Sequence, residues 1–263
     1  MPVDLTDPIF QDEAKATAHM EADRWPDGVY CPLCGSTNVH RMGGKTQAGM
    51  FLCNDCRDKF TVRTGSIFER SHIPLHKWLL AFRLMASSKK GISSHQLHRT
   101  LGITYKSAWF LAHRIREAMA DSDPTPMGGD GKIVESDETF LGTTGYEFNN
   151  EKGWTKKRGT GDMKKILTLV ERGGRARSMK MDDLTAKNVT MTVLTHLSTA
   201  STLMTDEARH YGRLGKRFAK HETVNHKEEE YVRGEAYTNT VEGFFSIFKR
   251  GMTGIYQHCA EKH

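Results

Sequence analysis

The fold is decided by three short apolar stretches, KIVESDETFL (132–141), KILTLVE (165–171) and STLMTD (201–206). Each is six to ten residues long and rich in apolar or β-branched residues, which is the pattern of a β-strand. The turn RGGR (172–175) joins the second stretch to another candidate strand at 177–181. These two stretches therefore predict a β-hairpin.

Helical segments alternate with these strands. The stretch 185–198 (TAKNVTMTVLTHLS) begins with Thr185, a residue suited to cap a helix, and further helices are predicted at about 207–213 and from near Asn239 onward. Three strands, a helix, a strand and a helix are typical of an α/β domain with a mixed sheet. We therefore predict one α/β domain over residues 132–263.

Three acidic residues stand at the ends of these predicted elements. Asp137 lies in the first strand, Asp206 ends the strand at 201–206, and Glu242 lies at the start of the final helix. Phosphodiester cleavage uses two divalent ions about 3.5–4 Å apart, and hard ions such as Mg2+ prefer carboxylate oxygens. Singly, each acid has a structural explanation as a strand-end charge, a helix cap or a capping-box partner of Asn239. Together, in this order, they predict a catalytic metal site.

Four cysteines form two pairs, Cys31-x2-Cys34 and Cys53-x2-Cys56, with 18 residues between the pairs. This spacing is typical of a four-cysteine zinc site. Closed coordination by four sulfur atoms leaves no open position for catalysis, so the zinc would be structural. We predict a zinc ribbon over residues 28–70.

The segment 92–119 (ISSHQLHRTLGITYKSAWFLAHRIREAM) has the layout of a helix-turn-helix, with a short helix that ends at Gly102 and a longer one that begins after Thr104. An ordinary helical hairpin has the same layout. DNA binding is favoured because residues 41–116 contain 14 Lys and Arg but only three Asp and Glu. The residues expected to contact DNA are Tyr105, Lys106, Ser107, His113 and Arg114.

The remaining segments complete the predicted domain plan. Residues 1–27 are predicted to form an N-terminal arm or helix, 71–120 a helical DNA-binding domain, and 121–131 (DSDPTPMGGDG) a linker. No apolar run reaches the roughly 18 residues that span a bilayer, and the N-terminus lacks the layout of a secretion signal. We therefore expect no membrane partner and a cytoplasmic location, associated with the bacterial nucleoid.

Several stretches resemble one known family, the insertion-sequence transposases that join an N-terminal zinc ribbon to a DDE catalytic domain of ribonuclease-H-like fold. The interval of 35 residues between Asp206 and Glu242 is the one typical of DDE enzymes. The stretches that carry the resemblance are CPLCGS (31–36), FTVRTGSIFERSHIPLHKWLLAF (60–82), LGITYKSAWFLAHRIREAM (101–119), VESDETFLG (134–142) and the block 205–251.

The resemblance implies a function. Asp137, Asp206 and Glu242 would form a triad that holds two Mg2+ or Mn2+ ions, with Asn239 as the alternative third ligand because relatives use Asn or His there. The substrates would be double-stranded terminal inverted repeats and target DNA, which the enzyme cleaves and then joins through the freed 3′-hydroxyl. Bridging two DNA segments implies a homo-oligomer on DNA.

Two basic residues, Lys249 and Arg250, lie about two turns beyond Glu242. They can hold phosphates near the metals, or they can be ordinary charges on a helix surface. Because relatives usually continue past the EKH stretch at 261–263, we expect a truncated copy, a domesticated relative or a fragment, whose activity has to be tested.

A function of another class also fits part of the sequence. A non-catalytic zinc-ribbon DNA-binding regulator, derived from a transposase, accounts for residues 28–120 equally well. It gives no reason for the order and spacing of the three acids.

Overall fold

The computed structural model describes residues 4–44, 48–120, 123–151, 153–157, 159–208, 210–224 and 232–257. The chain divides into two compact units, 1–120 and 121–263. Within the described residues, no helix combines the length and the apolar character that crossing a membrane requires.

The first part of the N-terminal unit is a three-stranded antiparallel sheet accompanied by a helix. The helix, α1, begins after Asp12, whose side chain accepts a hydrogen bond from the Lys15 amide at 2.9 Å. The buried Trp25 ring lies edge-on to Phe51 and Phe60, with ring centroids 5.6 and 6.0 Å apart. These elements are α1 (Glu13–Arg24), β1 (Val39–Arg41), β2 (Met50–Cys53) and β3 (Lys59–Thr61), in the sheet order β1-β2-β3.

Three helices complete this unit: α2 (Leu75–Ser87), α3 (Ser94–Leu101) and α4 (Tyr105–Ala118). The predicted ends of α3 and α4 are confirmed. Ser93 caps α3, Gly102 ends it in the left-handed conformation with φ 58°, and Thr104 caps α4. Gly102 suits this position because a side chain at positive φ is strained. The apolar stripe shared by α3 and α4 is buried, and it consists of Leu97, Leu101, Ala108, Leu111, Ala112 and Ile115.

The C-terminal unit is built on a five-stranded mixed sheet. Three of its strands are antiparallel neighbours and two join in parallel, which is the mixed α/β arrangement expected of the ribonuclease-H-like fold. A separate two-stranded hairpin lies between the first two sheet strands in the sequence. The strands are β4 (Ile133–Leu141), β5 (Tyr146–Asn149), β6 (Gly153–Lys156), β7 (Lys164–Glu171), β8 (Ala176–Met181), β9 (Thr202–Thr205) and β10 (Lys220–Thr223), and the sheet order is β10-β9-β4-β7-β8.

Apolar side chains are buried on both faces of the sheet. On β7, Leu167 and Leu169 belong to the apolar cluster that includes Val193 of α5 (Ala186–His196). The neighbouring Val170 packs with Val241 and Phe245 of α7 (Asn239–Gly251). Because successive residues of a strand point to opposite faces, α5 and α7 cover opposite sides of the sheet.

Two segments differ from the sequence-based expectations. The short helix predicted at 207–213 is α6 (Tyr211–Leu214), which begins later because Asp206 accepts a hydrogen bond from the Ala208 amide and holds a turn there. The described part of the segment predicted as a linker, 123–131, packs on the C-terminal unit. In it, Met127 is fully buried and exchanges backbone hydrogen bonds with His196 and Ser198. The strands β5, β6 and β10 were not predicted from the sequence.

Candidate functional site

The two aspartates of the predicted triad lie on or beside neighbouring strands of the sheet. Strands β4 and β9 are parallel, and Glu135 is paired with Met204. Asp137 and Asp206 each follow that pair by two residues, so the continued register places them level with each other. Neighbouring strands are about 4.8 Å apart. The sheet therefore brings Asp137, in the middle of β4, close to Asp206, which directly follows the end of β9.

The third acid, Glu242, lies in the first turn of α7, and the buried residue Glu135 holds the start of this helix. The Glu135 carboxylate accepts hydrogen bonds from the backbone amides of Thr240 and Val241, both at 2.9 Å, and from the Thr240 hydroxyl at 2.8 Å. A carboxylate is favoured at a helix N-terminus, where amides are unpaired and the helix dipole is positive. Because Glu135 is on the same strand as Asp137, this contact fixes the position of Glu242 relative to β4.

Arg172 completes the attachment of α7. Its Nε donates to Glu135 at 2.6 Å, and its two terminal nitrogens donate to the carbonyls of Glu235 and Tyr237 at 2.9 and 2.8 Å. The guanidinium also lies 3.4 Å from the centroid of the Tyr237 ring. Sequence reasoning missed both Glu135 and Arg172. The available signal was an acid inside an apolar strand, two residues before Asp137.

The acids influence one another electrostatically. Burial raises the pKa of Asp137 to about 7, with further contributions from the negative charges of Glu138, Asp206 and Glu242. Burial also raises the pKa of Asp206, again with a contribution from Glu138. Such mutual effects require charges that are close together. Among the described residues, however, the cysteine cluster alone has all its potential ligand atoms within 4.8 Å of one another. The acids are close to one another, but their carboxylate oxygens do not all lie within 4.8 Å of one another.

The other face of β4 makes a second set of polar contacts. Glu138 accepts hydrogen bonds from the Tyr211 hydroxyl and from His210 Nε2, the latter at 3.0 Å. This hydrogen bond to Glu138 raises the pKa of His210. Ser136 lies 2.9 Å from the same Tyr211 hydroxyl, measured between the oxygens. The strand thus contacts α7 through Glu135 and the start of α6 through Ser136 and Glu138, and sequence reasoning missed His210 and Tyr211.

The remaining predicted site residues of this unit lie along α7. Asn239 is its exposed first residue, and Glu242 accepts a hydrogen bond from the Thr238 hydroxyl at 3.0 Å. Lys249 is seven residues beyond Glu242, which places the two on the same helix face about 10 Å apart. The neighbouring Arg250 is exposed and donates to the Ser246 hydroxyl at 2.8 Å.

In the N-terminal unit, the four cysteines converge. All four sulfur atoms lie within 4.8 Å of one another, with Cys31–Cys56 at 3.8 Å and Cys34–Cys53 at 3.6 Å. A tetrahedron with Zn–S distances of about 2.3 Å has S–S edges of about 3.8 Å. The backbone amide of Cys56 lowers the pKa of Cys53 to about 7, whereas burial and the neighbouring sulfur atoms raise the pKa of Cys34 and of Cys56. The donor set fits a zinc ion.

Four of the five residues expected to contact DNA lie on or beside the solvent-facing side of α4. Tyr105 and Lys106 are exposed, and Ser107 and His113 are partly exposed. Arg114 differs from the expectation of a free surface residue, because its Nη1 donates to the Glu69 carbonyl at 2.9 Å. It lies at the border of the buried stripe and connects α4 to the segment between β3 and α2.

Sequence reasoning missed two aromatic side chains on α4. Trp109 and Phe110 are exposed, and the Trp109 ring lies 4.1 Å from the His113 ring, measured between centroids. Their exposure was not expected because aromatic residues in a helix usually pack into the core. The solvent-facing side of α4 is therefore aromatic as well as basic.

Comparisons with known proteins agree with this architecture. Residues 11–59 match a family described as a transposase zinc-ribbon domain, and residues 128–263 match an ISXO2-like transposase domain. A relative described as an uncharacterized protein in transposable element ISH50, from Halobacterium salinarum, is 30% identical over an alignment of 254 residues that covers 93% of this chain and 84% of the relative.

Two solved structures have weaker similarity. One is a simian T-cell lymphotropic virus intasome in complex with a PP2A regulatory subunit, with 12% identity and a TM-score of 0.30 over 67% of this chain and 58% of that chain. The other is a mariner Mos1 paired end complex with Mg, with 9% identity and a TM-score of 0.22 over 64% of each chain. At these scores the likenesses support no conclusion about function.

The match to the ISXO2-like domain covers more than half of the chain, and the ISH50 relative extends over nearly all of it. The cysteine cluster lies within the matched ribbon, and the predicted acids lie within the matched second domain. This protein belongs to the transposases that combine a transposase zinc-ribbon domain with an ISXO2-like transposase domain.

Proposed function

We propose that this transposase binds the terminal inverted repeats of its element and catalyses metal-dependent cleavage and transfer of DNA strands. Asp137, Asp206 and Glu242 would hold two Mg2+ or Mn2+ ions, with Asn239 as the alternative third ligand. Such ions activate the attacking oxygen and stabilise the leaving oxygen of a phosphodiester. In the proposed domain plan, the zinc ribbon and the helices before residue 121 bind DNA, and the C-terminal unit carries out catalysis.

The observation that carries this proposal is the concentration of negative charge around Asp137. Burial and three neighbouring carboxylates raise its pKa to about 7. In a folded protein such repulsion is costly, and a bound divalent cation reverses it because the cation favours the ionised form. An acid cluster of this kind, on and beside two parallel strands, is suited to binding hard cations.

The other residues would position DNA rather than react with it. Lys249 is far enough along α7 from Glu242 to hold a phosphate beside the acids. On α4, Tyr105, Lys106, Ser107 and His113 would face DNA, while Arg114 would contribute chiefly by fixing the helix to the Glu69 carbonyl. Simultaneous binding of two transposon ends would require a homo-oligomer on DNA.

The test is a cleavage assay on labelled DNA fragments that carry the inverted repeats flanking the gene. Asp206→Asn should lower Mg2+-dependent cleavage by at least about 100-fold, because it removes one charged ligand, and should leave DNA affinity unchanged. The matched control is Asp182→Asn, an exposed acid of the same unit that should retain full activity. Normal cleavage by Asp206→Asn would refute the proposed site.

The same assay addresses the regulator hypothesis and the joining step. Wild-type protein that binds the repeats but never nicks them with Mg2+ or Mn2+ would identify a non-catalytic DNA-binding regulator. Wild-type protein that nicks the repeats without joining them to target DNA would be a nuclease rather than an active transposase. Appearance of joined product supports the full proposal.

A further inference from the structure

The hairpin formed by β5 and β6 carries three exposed aromatic side chains. Tyr146, Phe148 and Trp154 are 65%, 62% and 71% exposed. Phe148 and Trp154 are directly paired across the strands, and Tyr146 is paired with Lys156. Side chains of directly paired residues share a face, as do residues two apart in a strand. The three rings and Lys156 therefore form one surface, the aromatic face.

The aromatic face is more than a means of stabilising the hairpin. The Phe148 and Trp154 rings meet edge to face, with centroids 5.7 Å apart, which supports the pairing of the two strands. Most of the surface of each ring nevertheless remains open to solvent. Large aromatic side chains grouped in this way on a protein surface mark a binding site more often than scattered ones.

Charge indicates the kind of partner. The segment 143–165 contains six Lys and Arg but three Asp and Glu. One of these acids, Glu147, lies on the opposite face of β5, and another, Asp162, is paired with Lys157 at 2.9 Å. A second copy of the hairpin would bring two Lys156 side chains together across a symmetric interface, which like charges oppose. An anionic partner with flat rings fits the aromatic face better.

The hairpin also emerges at the end of the sheet where the acids lie. It follows the carboxyl end of β4, the strand of Asp137, and leads into β7, whose first residue Lys164 is paired with Leu141. Tyr146 follows Asp137 by nine positions, so their Cα atoms are at most about 30 Å apart. DNA held at the acids can reach the aromatic face.

We propose that the aromatic face of the β5–β6 hairpin binds unpaired DNA bases by stacking, with Lys156 holding an adjacent phosphate. Three rings provide room for roughly one or two bases, since each base stacks on one aromatic surface. Stacking of this kind tolerates any base sequence because every base has a flat face. The inference rests on the proposed action on DNA and adds single-stranded nucleotides beside the cleavage site as its partner.

The experiment compares two DNA probes with the full chain, a short blunt duplex and the same duplex with an oligo-dT overhang. Wild-type protein should bind the overhang probe more tightly, and the overhang should quench Trp154 fluorescence. Trp154→Ala should weaken overhang binding by about 5- to 150-fold, the range for one stacked base, and leave blunt-duplex affinity unchanged. Trp154→Phe should retain most of the preference, because it keeps an aromatic ring.

The matched control is Thr155→Ala, a neighbour on the opposite face of β6, which should behave as wild type. Equal affinity of wild-type protein for both probes would overturn the proposal. So would a shift from dimer to monomer in Trp154→Ala during sedimentation, since it would identify a second copy as the partner. Because binding is measured without cleavage, Asp206→Asn should keep the overhang preference. This separates failure of the aromatic face from failure of the proposed catalysis.

Discussion

Replacing Asp137 with asparagine should stabilise the metal-free protein. The carboxyl group of Asp137 is largely buried beside Glu138, Asp206 and Glu242, and its pKa is raised to about 7 from an ordinary value of 3.8. The ionised group therefore opposes folding whenever no cation is bound. Asparagine has nearly the same shape and carries no charge, so it removes this cost together with a proposed metal ligand.

The size of the effect follows from the pKa shift. One pKa unit corresponds to about 1.4 kcal/mol, so the shift of Asp137 corresponds to about 4 kcal/mol once the pH exceeds both values. Between the unfolded value of 3.8 and the folded value of about 7, the folded protein keeps a proton that the unfolded chain releases. Stability therefore falls as the pH rises through this window.

The difference in the free energy of unfolding between Asp137→Asn and wild type should then widen by about 2–3 kcal/mol from pH 5 to pH 8. This change with pH is the signal to use, because the amide itself loses some solvation and shifts the difference equally at both pH values. Titrating groups far from Asp137 cancel in the comparison. Urea unfolding of wild type and Asp137→Asn at pH 5 and pH 8, in the presence of a chelator, measures this change. Asp182→Asn, which replaces an exposed acid, is the control.

Divalent ions should reduce the stability advantage of Asp137→Asn over wild type. At a Mg2+ concentration 100 times its Kd, binding to the folded state alone stabilises wild type by about 2.7 kcal/mol and should leave Asp137→Asn unchanged. If the difference in the free energy of unfolding between wild type and Asp137→Asn is the same at pH 5 and pH 8, the neighbouring acids and burial do not raise the pKa of Asp137. If Mg2+ stabilises both proteins equally, Asp137 is not a ligand.

Two further changes test other parts of the structure. Cys34→Ser should eliminate bound zinc in metal analysis and unfold the ribbon, while circular dichroism retains the helices and strands of the second unit; folded wild-type protein without zinc would contradict this. Glu135→Ala should lower the free energy of unfolding by about 3–5 kcal/mol, because Arg172 keeps a buried charge without its partner. Glu135→Gln should cost less and still weaken Mg2+ binding through Glu242, and unchanged stability in the alanine variant would remove the proposed anchoring role.

The parts of the fold with strong local signals could be predicted from the sequence. The cysteine spacing identified residues that the structure brings within 4.8 Å. The caps Ser93 and Thr104, with Gly102 between them, fixed the ends of α3 and α4 because each feature acts within one helical turn. Apolar runs likewise identified the central strands, which are buried on both faces.

The parts that depend on distant partners could not be predicted. No local pattern distinguishes the buried Glu135 from an exposed strand acid. One of its partners is Arg172, and the others are backbone amides at the start of α7, more than 100 residues later in the sequence. The edge strand β10 (KHET) lacks an apolar pattern since it packs little surface into the core. The β5–β6 hairpin does alternate aromatic and polar residues, but this period-two signal was missed because the rings face solvent rather than a core.

The contact between Glu135 and the start of α7 also has a consequence for how the molecule comes into being. The residues it joins are separated by 105 and 106 positions. A chain still on the ribosome can complete the cysteine cluster and the helices before residue 121, since these residues belong to the N-terminal compact unit. It cannot present Glu242 to Asp137 until α7 has emerged. Synthesis from the N-terminus therefore yields the N-terminal unit with its cysteine cluster first and the assembled acid cluster last.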